Sequence, residues 1–189
     1  MTEAELERRV KEQLNQVGVL SNLDTTRSQF LQAPGLFCEV VLTDGSKLEE
    51  ARQAVADLSG VLGADGIRLE AVVRALWQVK DVRHIGPCRG ESGGIKSAEC
   101  FEATLICGFA GATVTVEVSQ NALDTIRGTL GSKLPEKYFE RNKVLQNIVG
   151  SFVKQQVDQG GTSYWDPIRF PVIPMNAASF QYVWAHSAA

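Results

Sequence analysis

The sequence predicts an α+β fold, with an antiparallel sheet and helices packed mainly on one face of it in a single domain. Stretches with strand-like alternation follow one another in the middle of the chain, instead of alternating one for one with helices. The chain has 189 residues, of which 44% are hydrophobic, and this is enough to bury one core. We expect residues 1–20 to form an N-terminal amphipathic helix and residues 36–189 to form the core domain.

The N-terminal stretch predicts a helix followed by a connection. Residues 3–17 carry apolar side chains at helical spacing, and Thr2 with Glu5 matches a capping box. Gly18 is a typical residue at which a helix stops. Residues 21–35 show no apolar period, so they predict a connecting segment.

A buried strand and a second helix come next. The apolar run over residues 36–43 predicts the strand, and Asp44 with the glycine after it predicts a turn. Ser46 and Glu49 match a second capping box. We therefore expect a helix that begins there and carries apolar side chains on one face as far as Leu62.

The middle of the chain predicts mostly strands. Residues 67–76 fit a short helix better than a strand, whereas residues 77–85 predict a strand. The alternation is clearest over residues 99–118, where two runs are joined by a short loop bounded by glycines. This pattern predicts a β-hairpin.

The last third predicts two helices followed by extended chain. Residues 121–130 and 135–159 have helical spacing, and two glycines end the second segment. Three prolines between residues 167 and 174 restrict that stretch to an edge strand or coil. The aromatic alternation over residues 180–184 predicts a last strand, whose aromatic face we assign to the core.

The charge and hydropathy of the chain exclude two classes of protein. The net charge is −3 and the basic residues are scattered among acidic ones, which excludes the basic surface of a typical nucleic-acid-binding protein. No stretch approaches the ~18 apolar residues of a membrane-spanning helix. The first residues are charged and lack the apolar segment of a signal peptide, so we expect a soluble, cytoplasmic protein.

Four cysteines occur without a C-x-x-C pair, at positions 38, 88, 100 and 107. In a cytoplasmic chain we expect free and mostly buried thiols. Cys88 has an alternative role as a reactive thiol, because the neighbouring basic residues and His84 would favour its thiolate. A metal site built from His84 and the cysteines lacks the close ligand spacing of zinc sites, so we expect neither a metal nor a cofactor.

The run from His84 to Gly94 contains a match to the G-x-S-x-G motif of serine hydrolases, with Ser92 at the nucleophile position. Asp166 and His186 follow in the order that such a triad needs. The surroundings differ from a nucleophile elbow, because the motif follows Gly-Pro-Cys-Arg and precedes a predicted strand. The triad of Ser92, Asp166 and His186 therefore stays an alternative.

The same loop supports an anion-binding hypothesis. Glycine-rich backbone flanked by basic side chains is a common arrangement around bound anions. The candidate ligand-binding residues are Arg83, His84, Cys88, Arg89 and Lys96. A nucleotide-binding P-loop is excluded, because Ile95 replaces its second glycine and no helix is predicted after it.

The sequence contains no coherent set of catalytic residues, and we expect a non-catalytic protein. The leading hypothesis is an accessory or assembly module that binds another protein or a second copy of itself. The charged N-terminal helix and the proline-rich aromatic tail favour it. The alternative is a small-ligand-binding protein or an enzyme centred on the glycine-rich loop over residues 83–97.

Overall fold

The computed structural model describes residues 2–24, 35–88, 99–158 and 166–187. Their contacts divide the chain into two compact units. Unit 1 comprises Met1–Leu76 with Cys107–Ala110, and unit 2 comprises Trp77–Ile106 with Gly111–Ala189. Both units mix helices and strands, as predicted, whereas the number of domains stays a prediction. None of the described helices is long and apolar enough to cross a membrane.

Unit 1 is built on a mixed three-stranded sheet. Its elements are α1 (Glu3–Leu14), β1 (Val19–Asp24), β2 (Gly35–Leu42), α2 (Leu48–Ala64) and β3 (Arg68–Ala75). The strand order is β1-β2-β3, in which β1 is antiparallel and β3 is parallel to β2. Parallel neighbours need a crossover connection, and α2 provides it. The prediction of a purely antiparallel sheet is therefore wrong for this unit.

The N-terminus of α1 forms the predicted capping box. Thr2 Oγ1 accepts the backbone N–H of Glu5 at 3.2 Å, and the Glu5 carboxylate accepts the N–H of Thr2 at 2.8 Å. The helix ends at Leu14, earlier than predicted. Gly18 follows in a tight place, because a Cβ atom there would lie 2.6 Å from the side chain of Leu42. Glycine therefore lets the chain pass close to β2.

Two predicted secondary-structure assignments are wrong in unit 1. Residues 21–24 belong to β1 instead of a connection, and residues 68–75 form β3 instead of a helix. β3 pairs with β2 along its whole length, from Arg68 opposite Gly35 to Ala75 opposite Leu42. This pairing joins segments that are distant in sequence, so local spacing does not reveal it, and it outweighs a weak helical preference.

Asp44 organises the turn after β2. Its Oδ1 atom accepts the backbone N–H of Ser46 at 3.0 Å, the Ser46 hydroxyl at 2.8 Å and the backbone N–H of Phe109 at 3.1 Å. The predicted capping box of Ser46 and Glu49 is wrong, because Asp44 caps a 3-10 turn over Gly45–Lys47 that precedes α2. The approach of the Phe109 backbone depends on the glycine before it: a Cβ atom at Gly108, where φ is +59°, would lie 2.7 Å from Asp44.

Unit 2 is built on a four-stranded sheet. Its elements are β4 (Gln78–Gly86), β5 (Glu99–Cys107), β6 (Ala110–Val118), α3 (Gln120–Leu130), α4 (Tyr138–Asp158), β7 (Val172–Met175) and α5 (Ala177–Ser187), with the tip residues 107–110 counted in unit 1. The strand order is β4-β5-β6-β7, with β4 antiparallel to β5 and β6 parallel to β7. The predicted strand over residues 77–85 and the predicted hairpin over residues 99–118 are confirmed.

The alternation along the hairpin separates core from surface as predicted. The side chains buried in its two strands are Phe101, Ala103, Leu105, Cys107, Val114, Val116 and Val118. The helices predicted over residues 121–130 and 135–159 are confirmed as α3 and α4, and α4 begins three residues after Pro135. These helices join the parallel strands β6 and β7, as the crossover of a parallel pair requires.

The prolines predict an edge strand or coil, and this segment forms β7, a strand at the edge of the sheet. The backbone N–H of Ser119 donates to the carbonyl of Met175 at 3.1 Å, so Met175 directs its backbone polar groups toward β6. The backbone N–H and C=O groups of successive residues point to opposite sides of a strand. The backbone groups of the neighbouring Pro174 therefore point away from β6, toward the edge of the sheet. Proline has no N–H to offer there, which weakens this edge as a template for a partner's strand.

The predicted last strand is wrong, because residues 177–187 form helix α5. Asn176 Oδ1 accepts the backbone N–H of Ser179 at 2.8 Å and its hydroxyl at 2.9 Å. This is a side-chain cap at a helix start, and the sequence pattern Asn-x-x-Ser could have indicated it. Phe180 and Val183 are buried whereas Tyr182 is exposed, a spacing that belongs to one face of a helix.

Replacing Asp44 with Asn tests the turn after β2 through its pH dependence. Hydrogen bonds from Ser46, and then from Phe109, lower the pKa of Asp44 from its ordinary value of 3.8. The unfolded chain then binds the proton more tightly than the folded chain, so the stabilisation is present above about pH 4 and is lost as the pH falls. We expect Asp44→Asn to lower the melting temperature by more at about pH 7 than at about pH 3.

Circular dichroism during heating at the two pH values measures this effect. The matched control is Asp57→Asn, which removes a carboxylate that accepts a hydrogen bond from Gln53 on the exposed face of α2. An equal loss for Asp44→Asn at both pH values would show that the charge of Asp44 does not stabilise the turn.

Candidate functional site

A polar cluster in unit 2 surrounds His84. His84 lies in β4, Glu99 is the first residue of β5, and Tyr138 and Asn142 lie one turn apart at the beginning of α4. The packing of α4 on β4 brings these four side chains together. We call them the His84 cluster.

The hydrogen bonds of His84 use both of its ring nitrogens. Nε2 lies 2.6 Å from Glu99 Oε2, whereas Nδ1 lies 3.2 Å from the Tyr138 hydroxyl and 3.4 Å from Asn142 Nδ2. One placement of protons satisfies all three contacts: Nε2–H donates to the carboxylate, and Nδ1 accepts from the hydroxyl and the amide. The His84 side chain is only 10% exposed, so these protein groups replace water around the imidazole.

Aromatic contacts extend the cluster toward the surface. The His84 ring lies 5.0 Å from the ring of Phe101 and 5.8 Å from that of Tyr138, which stands edge-on to it. The guanidinium of Arg141 lies over the Tyr138 ring, 5.8 Å from its centroid. The imidazole, the tyrosine and the arginine therefore form a continuous series of contacts.

Helices α3 and α4 enclose a cleft beside this cluster, which we call the α3–α4 cleft. Its outer part has a volume of about 550 Å³ and is lined by Arg127, Gly131, Ser132, Leu134, Pro135, Glu136 and Arg141. A small recess of about 20 Å³ lies next to it and is lined by Glu99, Leu123, Ile126, Arg127, Leu134, Arg141, Asn142 and Leu145. Two members of the His84 cluster, Glu99 and Asn142, thus face the recess.

Two arginines stand where the outer part meets the recess, because Arg127 and Arg141 line both. Arg127 comes from α3 and Arg141 from α4, so the two residues reach the cleft from different helices. Asp124 reaches Arg127 only at 3.9 Å. Within the described part of the chain, Arg141 forms no ion pair with a carboxylate. These donors therefore remain suited to an anion in the cleft.

Three of the predicted ligand-binding residues lie in the described part of the chain, and they have different roles. Arg83 points away to form an ion pair with Glu102 at 2.7 Å. His84 is the centre of the polar cluster. Cys88 is joined to Cys100 by a disulfide bond. Arg89 and Lys96, the other two predicted residues, lie outside the described residues.

The predicted hydrolase residues lie only in part in the described chain. Ser92 lies outside the described residues. Asp166 is buried and accepts the backbone N–H of Ile168 at 3.0 Å. His186 is exposed on α5, where Nδ1–H donates to the carbonyl of Tyr182 at 2.7 Å. In a serine hydrolase this ring nitrogen would donate to the aspartate, so the hydrogen bond of His186 does not favour the triad, which stays a prediction.

The disulfide bond corrects the prediction of four free thiols. Cys88 and Cys100 cannot act as a reactive thiol or as thiolate ligands while they are joined. The prediction is confirmed for Cys38 and Cys107, which are free and buried. Burial raises the pKa of Cys38 to about 11, which keeps it protonated and inert near neutral pH. Among the described residues, no group of three or more His, Cys, Asp or Glu is placed to hold a metal.

Sequence reasoning missed most residues of the cleft. Glu99, Arg127 and Arg141 are ordinary charged residues in a sequence, and only the fold places them together. Asn142 gave a usable signal, because it is a polar residue on the buried face of α4. A buried amide in an apolar helix face needs hydrogen-bond partners, and the partner here is His84.

Comparison with known proteins finds no family model, no curated protein and no solved structure that matches this chain.

The disulfide bond can be tested through stability. It closes a short loop, with a sequence separation of 12, at the ends of β4 and β5. Removing a crosslink of this size costs about 3 kcal/mol of unfolding free energy, because the unfolded chain gains conformational freedom. We expect the double variant Cys88→Ser/Cys100→Ser to lose about this amount in urea denaturation.

The same denaturation in a phosphine reductant provides the control. The wild-type protein should lose stability on reduction, whereas the double variant should not respond. A wild-type protein that is equally stable in both conditions would show that the bond does not form or does not stabilise the fold.

Proposed function

We propose that unit 2 binds a small organic anion, carrying a carboxylate or a phosphate group, in the α3–α4 cleft. The observation that carries this proposal is the convergence of Arg127 and Arg141 from two helices on the same part of the cleft. Guanidinium groups present planar pairs of donors that match the oxygens of carboxylates and phosphates. The volume of the outer part, about 550 Å³, suits a small molecule.

The His84 cluster supports this site by holding one arginine in place. Arg141 packs on the ring of Tyr138, and the hydroxyl of Tyr138 donates to His84 Nδ1. The imidazole is fixed in turn by Glu99. An arginine that is already oriented loses less side-chain entropy when a ligand binds, so the affinity is higher than for a flexible one. His84 therefore keeps a place in ligand binding, acting through Tyr138.

The protein-binding module stays a second candidate, favoured by a separate observation. Ile168, Phe170 and Val172 form a row of apolar residues at alternate positions, from the turn over residues 167–169 into β7, and their exposed fractions are 56%, 55% and 48%. Contiguous exposed apolar side chains are typical of surfaces that bind proteins. Pro174 weakens strand addition at this edge, so the row would bind a partner, or a second copy of the chain, through side-chain packing.

The cytoplasmic location also stays a proposal. A disulfide bond such as Cys88–Cys100 is typical of oxidising compartments and argues against a permanently reducing one. Alkylation of the protein in freshly lysed cells of its own host, followed by mass spectrometry, reports which state occurs there.

The anion site predicts that small anions bind and that the arginines are required. Inorganic phosphate or propionate, added to ¹⁵N-labelled protein, should cause saturable shifts in the amide signals around the cleft. The double variant Arg127→Gln/Arg141→Gln should lower the affinity about tenfold or more, since each charge-assisted hydrogen bond contributes about 1.5–3 kcal/mol. The matched control is Lys143→Gln, which removes one exposed charge from the same helix. If the control and the double variant lose affinity equally, the arginines contribute only their net charge. If the wild-type protein shows no saturable shifts, the anion site is excluded.

The second candidate predicts self-association or association through the apolar row. We expect light scattering at high protein concentration to give a mass above that of one chain, and Ile168→Ser to return the mass to one chain. Ile85→Ser is the matched control, because Ile85 is an equally exposed isoleucine on β4. A single-chain mass for the wild-type protein would remove the case for a homo-oligomer through this row.

A further inference from the structure

We infer that the ligand of the α3–α4 cleft is an α-amino acid, with its carboxylate bound by Arg127 and Arg141 and its ammonium group bound by Glu99 in the recess. This inference rests on the proposed anion site and specifies its ligand. It follows from the size of the recess, from its acceptors and from the charges around it.

The recess is small. Its volume of about 20 Å³ holds roughly one water-sized group. A primary ammonium or a hydroxyl matches this volume more closely than a phosphate, a carboxylate or a methylated amine does. The outer part is far larger, so the rest of the ligand has room only on that side.

The polar atoms of the recess favour an ammonium over a hydroxyl. Glu99 uses Oε2 to accept from His84, which leaves the other carboxylate oxygen for a ligand. The Asn142 amide nitrogen faces His84 Nδ1, which leaves its carbonyl oxygen as a second acceptor. An ammonium has three donors and a charge opposite to that of the carboxylate, whereas a hydroxyl has one donor and no charge.

The charges around the cleft match a zwitterion. Arg127, Arg141, Glu99 and Glu136 line it, so two positive charges balance two negative ones. Glu99 accepts a hydrogen bond from His84 but comes within 4.0 Å of neither arginine, so the charges of Glu99 and the arginines do not pair with each other. A simple amine would be repelled by the arginines, and a simple anion would bind the arginines less tightly because of the nearby Glu99 carboxylate. A molecule that carries both groups satisfies both sides.

The position of the arginines specifies an α-amino acid among zwitterions. Arg127 and Arg141 line the recess as well as the outer part. The group that they bind therefore lies next to the group in the recess, which requires the carboxylate and the ammonium to be close together. Both groups are attached to one carbon in an α-amino acid, and its side chain then extends into the outer part beside Leu134 and Pro135.

A matched set of probes tests the inference: L-alanine, propionate, ethylamine and N-acetyl-L-alanine. Propionate lacks the ammonium group, ethylamine lacks the carboxylate, and the acetyl group removes the charge and is too large for the recess. We expect NMR titration to show L-alanine binding about tenfold more tightly than propionate or N-acetyl-L-alanine, and no binding of ethylamine. This comparison uses only the wild-type protein, so it does not depend on the folding of a variant.

Two variants assign the effect to the recess. Glu99→Gln should reduce the affinity for L-alanine to that for propionate, while propionate itself binds as before or more tightly. Glu140→Gln, which removes an exposed carboxylate of α4 that pairs with Lys137 and lines neither part of the cleft, should preserve the preference for L-alanine. Retained binding of propionate by Glu99→Gln also shows that this variant is folded.

The outcomes separate this inference from the proposed function. If propionate binds as tightly as L-alanine, the anion site stands and the amino-acid inference is overturned. If N-acetyl-L-alanine binds as tightly as L-alanine, the recess does not hold the ammonium group and the inference is overturned as well. If none of the probes shows saturable shifts, both the inference and the anion site fail.

Discussion

The hydrogen bond between His84 Nε2 and Glu99 Oε2 determines the arrangement of the candidate site. Because it places the proton of the imidazole on Nε2, Nδ1 becomes an acceptor and can receive the Tyr138 hydroxyl and the Asn142 amide. These two residues lie in the first turns of α4, so the bond fixes the start of that helix against β4. Arg141 belongs to the same turns and packs on Tyr138. The tautomer of His84 thus influences the position of Arg141, which lines the cleft.

Both units use the same solution to a topological constraint. In each sheet an antiparallel pair is followed by a helical crossover to a parallel edge strand, β3 in unit 1 and β7 in unit 2. Elements with strong local patterns were predicted correctly, as α1, β2, α4 and the hairpin of β5 and β6 illustrate. β1 and β3 were missed because pairing with β2 creates them. Such pairing joins segments that are distant in sequence, so neither strand needs a regular alternation of apolar and polar residues that would reveal it.

The candidate site was predictable only at its centre. Sequence reasoning selected His84 because an uncommon residue type occurs beside a glycine-rich loop. Its partners Tyr138 and Asn142 are 54 and 58 positions away, and no local rule relates them to it. The same reasoning placed Cys88 among free thiols, since a disulfide also depends on distant geometry. The sequence therefore showed which side chains could bind or react. It did not show their neighbours, because those are determined by tertiary packing.

The geometry favours recognition over catalysis by His84. A general base must reach the proton that it removes, and both nitrogens of this imidazole are already bonded to protein groups. The side chain is also nearly buried and does not line the cleft. Glu99 and Asn142 are the members of the cluster that line the recess, and His84 forms hydrogen bonds with both of them. In the proposed site the imidazole therefore acts by holding these two side chains, as a supporting residue does in a preorganised binding site.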